Sequence, residues 1–147
     1  MRAAAMLAAG VLVASGLGAP AQQGDPIGQR QALMKNNQEQ VRTLVGMSRG
    51  QVPFDPNRAR AAFEAIGQNA ERIPTLFPPD SQSGKTNALP AIWERKADFD
   101  AHAAKLGQDA RAVQAGLTDT GSLQAALQRV GQDCGGCHES FRRKQVQ

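Results

Sequence analysis

The sequence predicts an all-α fold, an antiparallel four-helix bundle, on three observations. After its first 21 positions the chain is rich in Ala, Gln, Arg and Leu and poor in β-branched residues, a composition that favours helix. Apolar residues recur every three or four positions through four segments, and no segment alternates apolar and polar residues as a strand does. Two short connections and one long connection separate the segments, as in a four-helix bundle.

The first 21 residues are predicted to be a signal peptide. The basic start Met1-Arg2 precedes an apolar, Ala-rich run from Ala3 to Gly18, and Ala19-Pro20-Ala21 has the small residues that signal peptidase recognises. The run is too short to span a bilayer as a helix. We therefore expect cleavage near Ala21 and a periplasmic protein that is not an integral membrane protein.

Residues 22–147 are predicted to form one domain with few large apolar side chains. Removing 21 of the 147 residues leaves 126, about one domain's worth. Apart from Ala and Cys, these 126 residues include 26 apolar side chains, and the whole chain has five Phe, one Trp and no Tyr. With so few large apolar side chains, the domain either stays loosely packed or completes its interior with a group other than an amino acid.

Charge gives no sign of a nucleic-acid partner. The chain has 17 Lys and Arg against 13 Asp and Glu, a formal net charge of +4. The two signs alternate along the chain and no basic run is interleaved with aromatic residues, which is typical of a solvated mixed surface.

The first two predicted helices share one start signal, an Asp N-cap followed by Pro at the first helical position. It occurs at Asp25-Pro26 and again at Asp55-Pro56. The first helix is expected to end at Val45 or Met47, and the second before Pro74. The buried stripe expected on the second helix is Phe63, Ile66, Ala70 and Ile73.

A stretch from Pro74 to Pro90 with four Pro is predicted to be a long connection that Phe77 anchors to the bundle. The third helix is expected from about Pro90 to about Gly116. Asp119, Thr120 and Gly121 break the chain before the last helix, which starts near Ser122 and continues into the 140s. Its expected apolar face is Leu123, Leu127, Val130, Cys134, Cys137 and Phe141.

The segment Cys134-Gly135-Gly136-Cys137-His138 is the most specific chemical signal in the chain. Two cysteines three positions apart on a helix present both sulfurs on one side, at a spacing that takes up the two vinyl groups of one haem as thioethers. His138 lies one turn after Cys134, so its imidazole approaches from the same face as the proximal iron ligand. This pattern is the attachment signature of haem c, and the two glycines leave room beside the porphyrin.

Three other interpretations of the cysteine pair remain open at this point. A disulfide is permitted in an exported protein, but a loop this small gains little stability from one. A thioredoxin-like redox pair requires a βαβ setting, which the pattern lacks. A zinc site requires more ligands, and the only other histidine is His102, in the middle of the third helix.

The placement of the motif after three helices resembles the class II c-type cytochromes, four-helix bundles that include cytochrome c′. The resemblance covers residues 22–147 and includes the opening Arg30 to Lys35, the Ile92-Trp93 pair and the closing Cys134 to Lys144. It implies one covalently attached haem c and single-electron transfer between redox partner proteins. It is also compatible with a homodimer. No paired acid and base or activated nucleophile accompanies the motif, so we expect no enzyme activity.

Met34 is the candidate for the other side of the iron. Thioether ligands raise the reduction potential of haem iron, and residues 22–147 contain two methionines, Met34 and Met47. By resemblance, Met34 occupies the distal position, where the residue in cytochrome c′ blocks the site and leaves the iron open to NO and CO. In the low-spin branch of the class, the equivalent methionine binds iron. The Leu33 to Asn37 run and the Ile73 to Pro78 segment look more like that branch, which favours His138/Met34 ligation; a core methionine is the alternative.

Two arginines are candidate partners of the haem propionates. Arg30 lies one turn before Met34 on the same face of the first helix, and a guanidinium there can form charge-assisted hydrogen bonds with a carboxylate. Arg142 lies four residues after His138. The alternatives are a solvated surface Arg30 and an Arg142 that only stabilises the end of the last helix.

Overall fold

The computed structural model describes residues 25–144 as an all-α protein with no β-strand in that range. The helices are α1 (Pro26–Ser48), α2 (Pro56–Arg72), α3 (Ala91–Glu94), α4 (Lys96–Ala112) and α5 (Thr120–Phe141). The predicted signal peptide, residues 1–21, lies outside the described residues. Within the described range, every helix is too short or too polar to cross a membrane.

The four long helices form the predicted antiparallel bundle. In it α1 packs against α2 and α5, and α4 packs against the same two helices from the other side. The loops after α1 and after α4 therefore lie at one end of the bundle, whereas the long connection between α2 and α4 lies at the other end, beside the end of α5. This architecture confirms the fold class expected from the sequence.

The predicted start signals act as N-caps. The Asp25 carboxylate accepts hydrogen bonds from the backbone N–H groups of Ile27 and Gly28, both at 3.0 Å. Asp55 caps α2 in the same way. Asp119, which we expected only to break the chain, is the N-cap of α5 and forms a reciprocal capping box with Ser122, so that α5 starts at Thr120.

The prediction of a single third helix from Pro90 to Gly116 is wrong. The helix breaks at Arg95, where φ is −126° and ψ is 51°, and this residue separates the one-turn α3 from α4. Trp93 of α3 donates its indole N–H to the carbonyls of Phe77 and Pro78, at 3.1 and 3.0 Å. These bonds attach α3 to the connection, whereas α4 follows the bundle. At its far end α4 finishes in a 3₁₀ turn, Val113–Gly116.

The core confirms most of the predicted apolar faces. The stripe predicted for the second helix is buried throughout, although its last residue, Ile73, lies just after the end of α2. On α5 Leu123, Val130 and Phe141 are buried, whereas Leu127 and both cysteines are only partly buried against the core. Phe77 is buried with its ring edge-on to Phe99 at 4.7 Å, so it anchors the connection as predicted. The largest fully buried side chains are Phe63, Leu44, Met47, Ile66, Ile92, Leu117, Leu123 and Val130.

The end of α5 is attached to the long connection by backbone hydrogen bonds. Leu89 donates its N–H to the carbonyl of Phe141 at 3.0 Å, and Arg143 donates to the carbonyl of Asn87 at 2.8 Å. Ala88 and Arg142 lie between them as an antiparallel bridge. Arg142 and Arg143, directly after α5, are therefore held beside the connection.

Candidate functional site

The Cys-Gly-Gly-Cys-His segment lies within α5, which continues as regular helix through it to Phe141. Cys134 and Cys137 are both free thiols, one turn apart and partly buried against the core. A Cβ built at Gly135 would meet no atom within 4 Å. The two sulfurs therefore lie on one side of a rigid helix, next to a glycine that leaves open space.

The thiols have the properties of unreactive cysteines. Burial is the main cause that raises the pKa of both, and the neighbouring Cys134 helps to raise the pKa of Cys137 to about 11. Thiols that exchange disulfides have lowered pKa values instead. The described residues also contain no group of three or more His, Cys, Asp or Glu side chains suited to a metal ion. The raised pKa values thus argue against a thioredoxin-like redox pair.

His138 lies at the protein surface in a cleft of about 370 Å³. The pKa of His138 lies below its usual range. The main cause is partial desolvation of the imidazole, and the positive charge of Arg142 adds to it. A lowered pKa keeps the imidazole neutral near pH 7, the state in which it binds metals. The cleft is lined by Gly135, His138, Glu139, Arg142, Arg143 and Lys144.

Met34 lies on α1, the helix that packs against α5. Its side chain is half-buried and packs against the same core as Cys134 and Cys137. Met47 is completely buried nearer the other end of α1. Of the two methionines in the described range, only Met34 thus has a side chain that is partly open.

Arg30 is buried, with 4% of its surface exposed, and its guanidinium holds the long connection. One terminal nitrogen donates to the Leu76 carbonyl at 3.4 Å and to Ser81 Oγ at 3.1 Å. The other donates to the Ser81 carbonyl and to Thr86 Oγ1, both at 3.0 Å. The guanidinium also lies over the Phe77 ring, 4.6 Å from its centroid. Burial lowers the pKa of Arg30, an effect that Asp25 opposes.

The chain matches a known protein family over most of its length. The family described as Cytochrome C' matches residues 25–142, nearly the whole of the described range. The chain belongs to the cytochrome c′ family. It is a class II c-type cytochrome, an electron-transfer protein with covalently attached haem c, as the attachment motif predicts.

Relatives of this cytochrome are similar over most of their length. A cytochrome c-556 of Agrobacterium tumefaciens is 43% identical over 78% of this chain and 94% of its own length. A cytochrome c′ of Rhodopseudomonas palustris is 40% identical over 90% of this chain and 92% of its own. The solved structure of cytochrome c′ from Rhodopseudomonas palustris superposes with a TM-score of 0.80 at 39% identity, covering 84% of this chain and all of that one.

The seam between α1 and α5 fits a large apolar group. No residue of α1 is buried between Leu33 and Leu44, and none of α5 between Asp133 and Phe141, in these fully described segments. The apolar side chains there are half-buried instead, packed against the core on one side. A flat macrocycle attached to the α5 cysteines would bury them further. The half-buried set in these two segments is Met34, Val41, Cys134 and Cys137.

Two contacts beside the Cys134 to His138 motif of this cytochrome were not predicted from the sequence. The ring of His102, on α4, lies 5.7 Å from that of Phe141, and its Cε1 would lie 3.7 Å from a Cβ at Gly136. Asp133, directly before Cys134, is buried and accepts a hydrogen bond from Lys105 of α4 at 2.6 Å. Its Oδ2 is buried with no hydrogen-bond partner in the described range. Both contacts join different helices, so spacing within one helix gives no signal for them.

Proposed function

We propose that this protein is a periplasmic monohaem c-type cytochrome that passes single electrons between redox partner proteins, with His138 and Met34 as the two axial iron ligands. The position of Met34 supports this ligation. Its side chain is only partly buried, and it lies on α1, which packs against the helix α5 that contains both cysteines. Met47 is completely buried, which leaves Met34 as the candidate in the described range.

The residues of the chain have distinct tasks in this function. When bound, the haem supplies one-electron redox chemistry. Cys134 and Cys137 hold it as thioethers, since both thiols face one side of α5. His138 offers a neutral imidazole from the surface side, and the Met34 thioether favours a high reduction potential. The apolar seam between α1 and α5 excludes water.

Arg30 and Arg142 are proposed partners of the haem propionates. Neither forms an ion pair with a carboxylate in the described part of the chain. The four hydrogen bonds of Arg30 all go to neutral oxygens, and the negative charge of Asp25 acts on it without a directly bonded carboxylate. A propionate would supply one. Because a nearby cation favours the reduced state, Arg142→Gln is expected to lower the reduction potential.

The visible spectrum tests the ligation. Reduced protein with two axial ligands is expected to show a sharp, split α/β pair that does not change when carbon monoxide is added. A broad high-spin band that shifts with carbon monoxide would instead indicate the five-coordinate alternative, a cytochrome c′ that binds NO and CO.

Two matched variants identify the distal ligand. Met34→Leu keeps an apolar side chain of similar size but removes the thioether, so we expect high-spin spectra, binding of carbon monoxide and a lower potential. Met47→Leu makes the same chemical change in the core and is expected to leave the spectrum unchanged. An unchanged spectrum in Met34→Leu would rule this residue out as a ligand.

The location and the assembly are tested on the purified protein. Export with cleavage after Ala21 predicts a mass equal to residues 22–147 plus one haem. Light scattering distinguishes a monomer from the homodimer that the family resemblance allows.

We propose no enzyme activity, because the conspicuous groups around the motif are attachment thiols, an axial histidine and arginines rather than a paired acid and base.

A further inference from the structure

Three consecutive basic residues follow the attachment motif and line the cleft around His138. Arg142, Arg143 and Lys144 are all exposed, and all three border the cleft from which the imidazole of His138 meets solvent. The acidic residue in this lining is Glu139. We call the surface formed by Arg142, Arg143 and Lys144 the basic rim.

The fold fixes the basic rim in place. The bridge between Ala88 and Arg142 and the hydrogen bond from Arg143 N–H to the Asn87 carbonyl hold this segment against the long connection. Arg95 lies nearby, with its guanidinium over the ring of Phe141 at 4.9 Å. The backbone of Arg142 and Arg143 is therefore held in place, and Lys144 follows it directly.

The charges of the basic rim are not neutralised by the described residues. Elsewhere in the bundle cations are paired: Lys96 with Asp100, Arg111 with Glu71, and Arg129 with Asp109. No side chain of the rim forms an ion pair within the described range. A concentrated unpaired charge beside a cleft steers molecules of opposite charge toward it.

We propose that the basic rim is the docking surface for an acidic redox partner protein, and that electrons enter and leave at the His138 side of the bundle. The proposal rests on the proposed electron-transfer function and adds the chemical class of the partner. Arg142 is a proposed propionate partner, so carboxylates of the partner protein approach mainly Arg143 and Lys144, which brings the partner's redox centre next to His138. On entry a reduced partner loses one electron and this protein gains it, and on exit this protein loses that electron to an oxidised partner. Such charged, solvated contacts associate fast and separate easily.

The experiment measures electron transfer from a reduced plant-type [2Fe–2S] ferredoxin, an acidic one-electron donor, to the haem-loaded protein by anaerobic stopped flow. The second-order rate constant of the wild-type protein is expected to fall roughly tenfold between about 10 mM and 300 mM salt, because salt screens the attraction. Arg143→Glu/Lys144→Glu is expected to lower the low-salt rate about tenfold and to flatten its salt dependence.

A matched double variant controls for net charge. Arg49→Glu/Arg58→Glu makes the same change in total charge at the opposite end of α1 and α2, where both residues are exposed. The 23 residues of α1 span about 35 Å, several Debye lengths at about 0.1 M salt. The control is therefore expected to keep the rate within about twofold of wild type at that salt.

A donor of the opposite charge checks the sign. A basic mitochondrial-type cytochrome c, in its reduced form, is expected to react faster with Arg143→Glu/Lys144→Glu than with the wild-type protein. If the rim variant and the control respond equally to ferredoxin at about 0.1 M salt, the docking surface is wrong although electron transfer stands. A wild-type protein that takes no electron from ferredoxin or dithionite would instead refute the proposed function. Visible spectra of all variants must match, which confirms intact ligation.

Discussion

Arg30 shows how one residue joins the site to the fold. A buried guanidinium is costly unless its N–H groups are satisfied, and here oxygens of Leu76, Ser81 and Thr86 accept four hydrogen bonds from it. The rings of Phe77 and Trp93 add faces that attract a cation, at 4.6 and 5.8 Å. The same side chain that we propose as a propionate partner therefore also orders the connection.

Arg30→Gln is expected to lower the free energy of unfolding of the haem-loaded protein by about 2 to 4 kcal/mol, because several buried acceptors lose their donor. Urea unfolding followed by Trp93 fluorescence measures the change. Arg42→Gln, an exposed arginine on the same helix, is the control, with an expected change within about 0.5 kcal/mol. Equal effects of the two substitutions would show that the connection does not depend on Arg30.

At the residue scale, the sequence predicts contacts that lie within one helix. Cys134, Cys137 and His138 are recognised from spacing alone, since helical geometry fixes their relative positions. The partners of Arg30 lie 46 to 56 positions away, in a connection without regular structure. No periodicity predicts such a contact, and so the sequence indicated the arginine but not its hydrogen bonds.

Helices α2 and α4 cross where Gly67 and Gly107 face each other. A Cβ at Gly67 would lie 3.7 Å from the Gly107 carbonyl oxygen and 3.8 Å from the Ala110 Cβ, which are ordinary contacts. The crossing thus has room for one methyl group but not for a larger side chain.

Gly67→Ala is therefore expected to stabilise the protein by up to about 1 kcal/mol, the gain in helix propensity. Gly67→Leu is expected to destabilise it, because the larger side chain forces α2 and α4 apart. Thermal unfolding measures both. Gly131→Ala, on α5 where a Cβ meets nothing within 4 Å, measures the propensity gain alone. A Gly67→Ala variant clearly less stable than wild type would contradict the packing described.

A charged cluster joins α4 to α5 beside the attachment motif. Asp109 accepts hydrogen bonds from Arg129 at 2.5 Å and from Lys105 at 2.6 Å, and Lys105 also donates to Asp133. Chiefly Arg129, and then Lys105, holds the pKa of Asp109 well below its usual range. A carboxyl group with a lowered pKa in the folded state stabilises it above the unfolded-state pKa, about 3.9, and loses that contribution as the pH falls.

Asp109→Asn is accordingly expected to melt a few degrees below wild type at pH 7, with the gap closing as the pH falls below about 4. Melting temperatures at pH 7, 5 and 3.5 test this. The control is Asp98→Asn, whose carboxylate forms an exposed 3.8 Å pair with Arg95, so that little change is expected at any of these pH values. If the difference in melting temperature between Asp109→Asn and wild type stays constant with pH, the negative charge of Asp109 does not account for the stabilisation.

Helix starts were predictable from the sequence, whereas the break at Arg95 was not. Asp25-Pro26 and Asp55-Pro56 carry their own capping chemistry, and the structure confirms both starts. Residue 95 is neither Gly nor Pro, and the break depends on Trp93 bonding to a distant connection. Local sequence cannot encode a boundary that tertiary contacts impose.

In the whole molecule, the least buried part of the apolar interior lies between α1 and α5. Large, fully buried side chains lie on α2, near the C-terminal end of α1 and in the first half of α5. Along the facing parts of α1 and α5 the apolar side chains stay half-buried. The sequence therefore predicted an incomplete interior, and the structure assigns the gap to the seam that holds both attachment cysteines.

Removing the haem is expected to loosen the bundle without abolishing its helices. Cys134→Ala/Cys137→Ala, purified free of haem absorption, is expected to keep much of its far-UV circular dichroism, because capping and the α2–α4 crossing remain. Its near-UV signal is expected to collapse and a hydrophobic dye to bind, since the seam loses the group that buries its apolar side chains. Added haem is expected to restore part of the near-UV signal, which separates loss of the macrocycle from loss of the thiols. Native near-UV dichroism and no dye binding in the haem-free variant would mean that the amino acids alone complete the core.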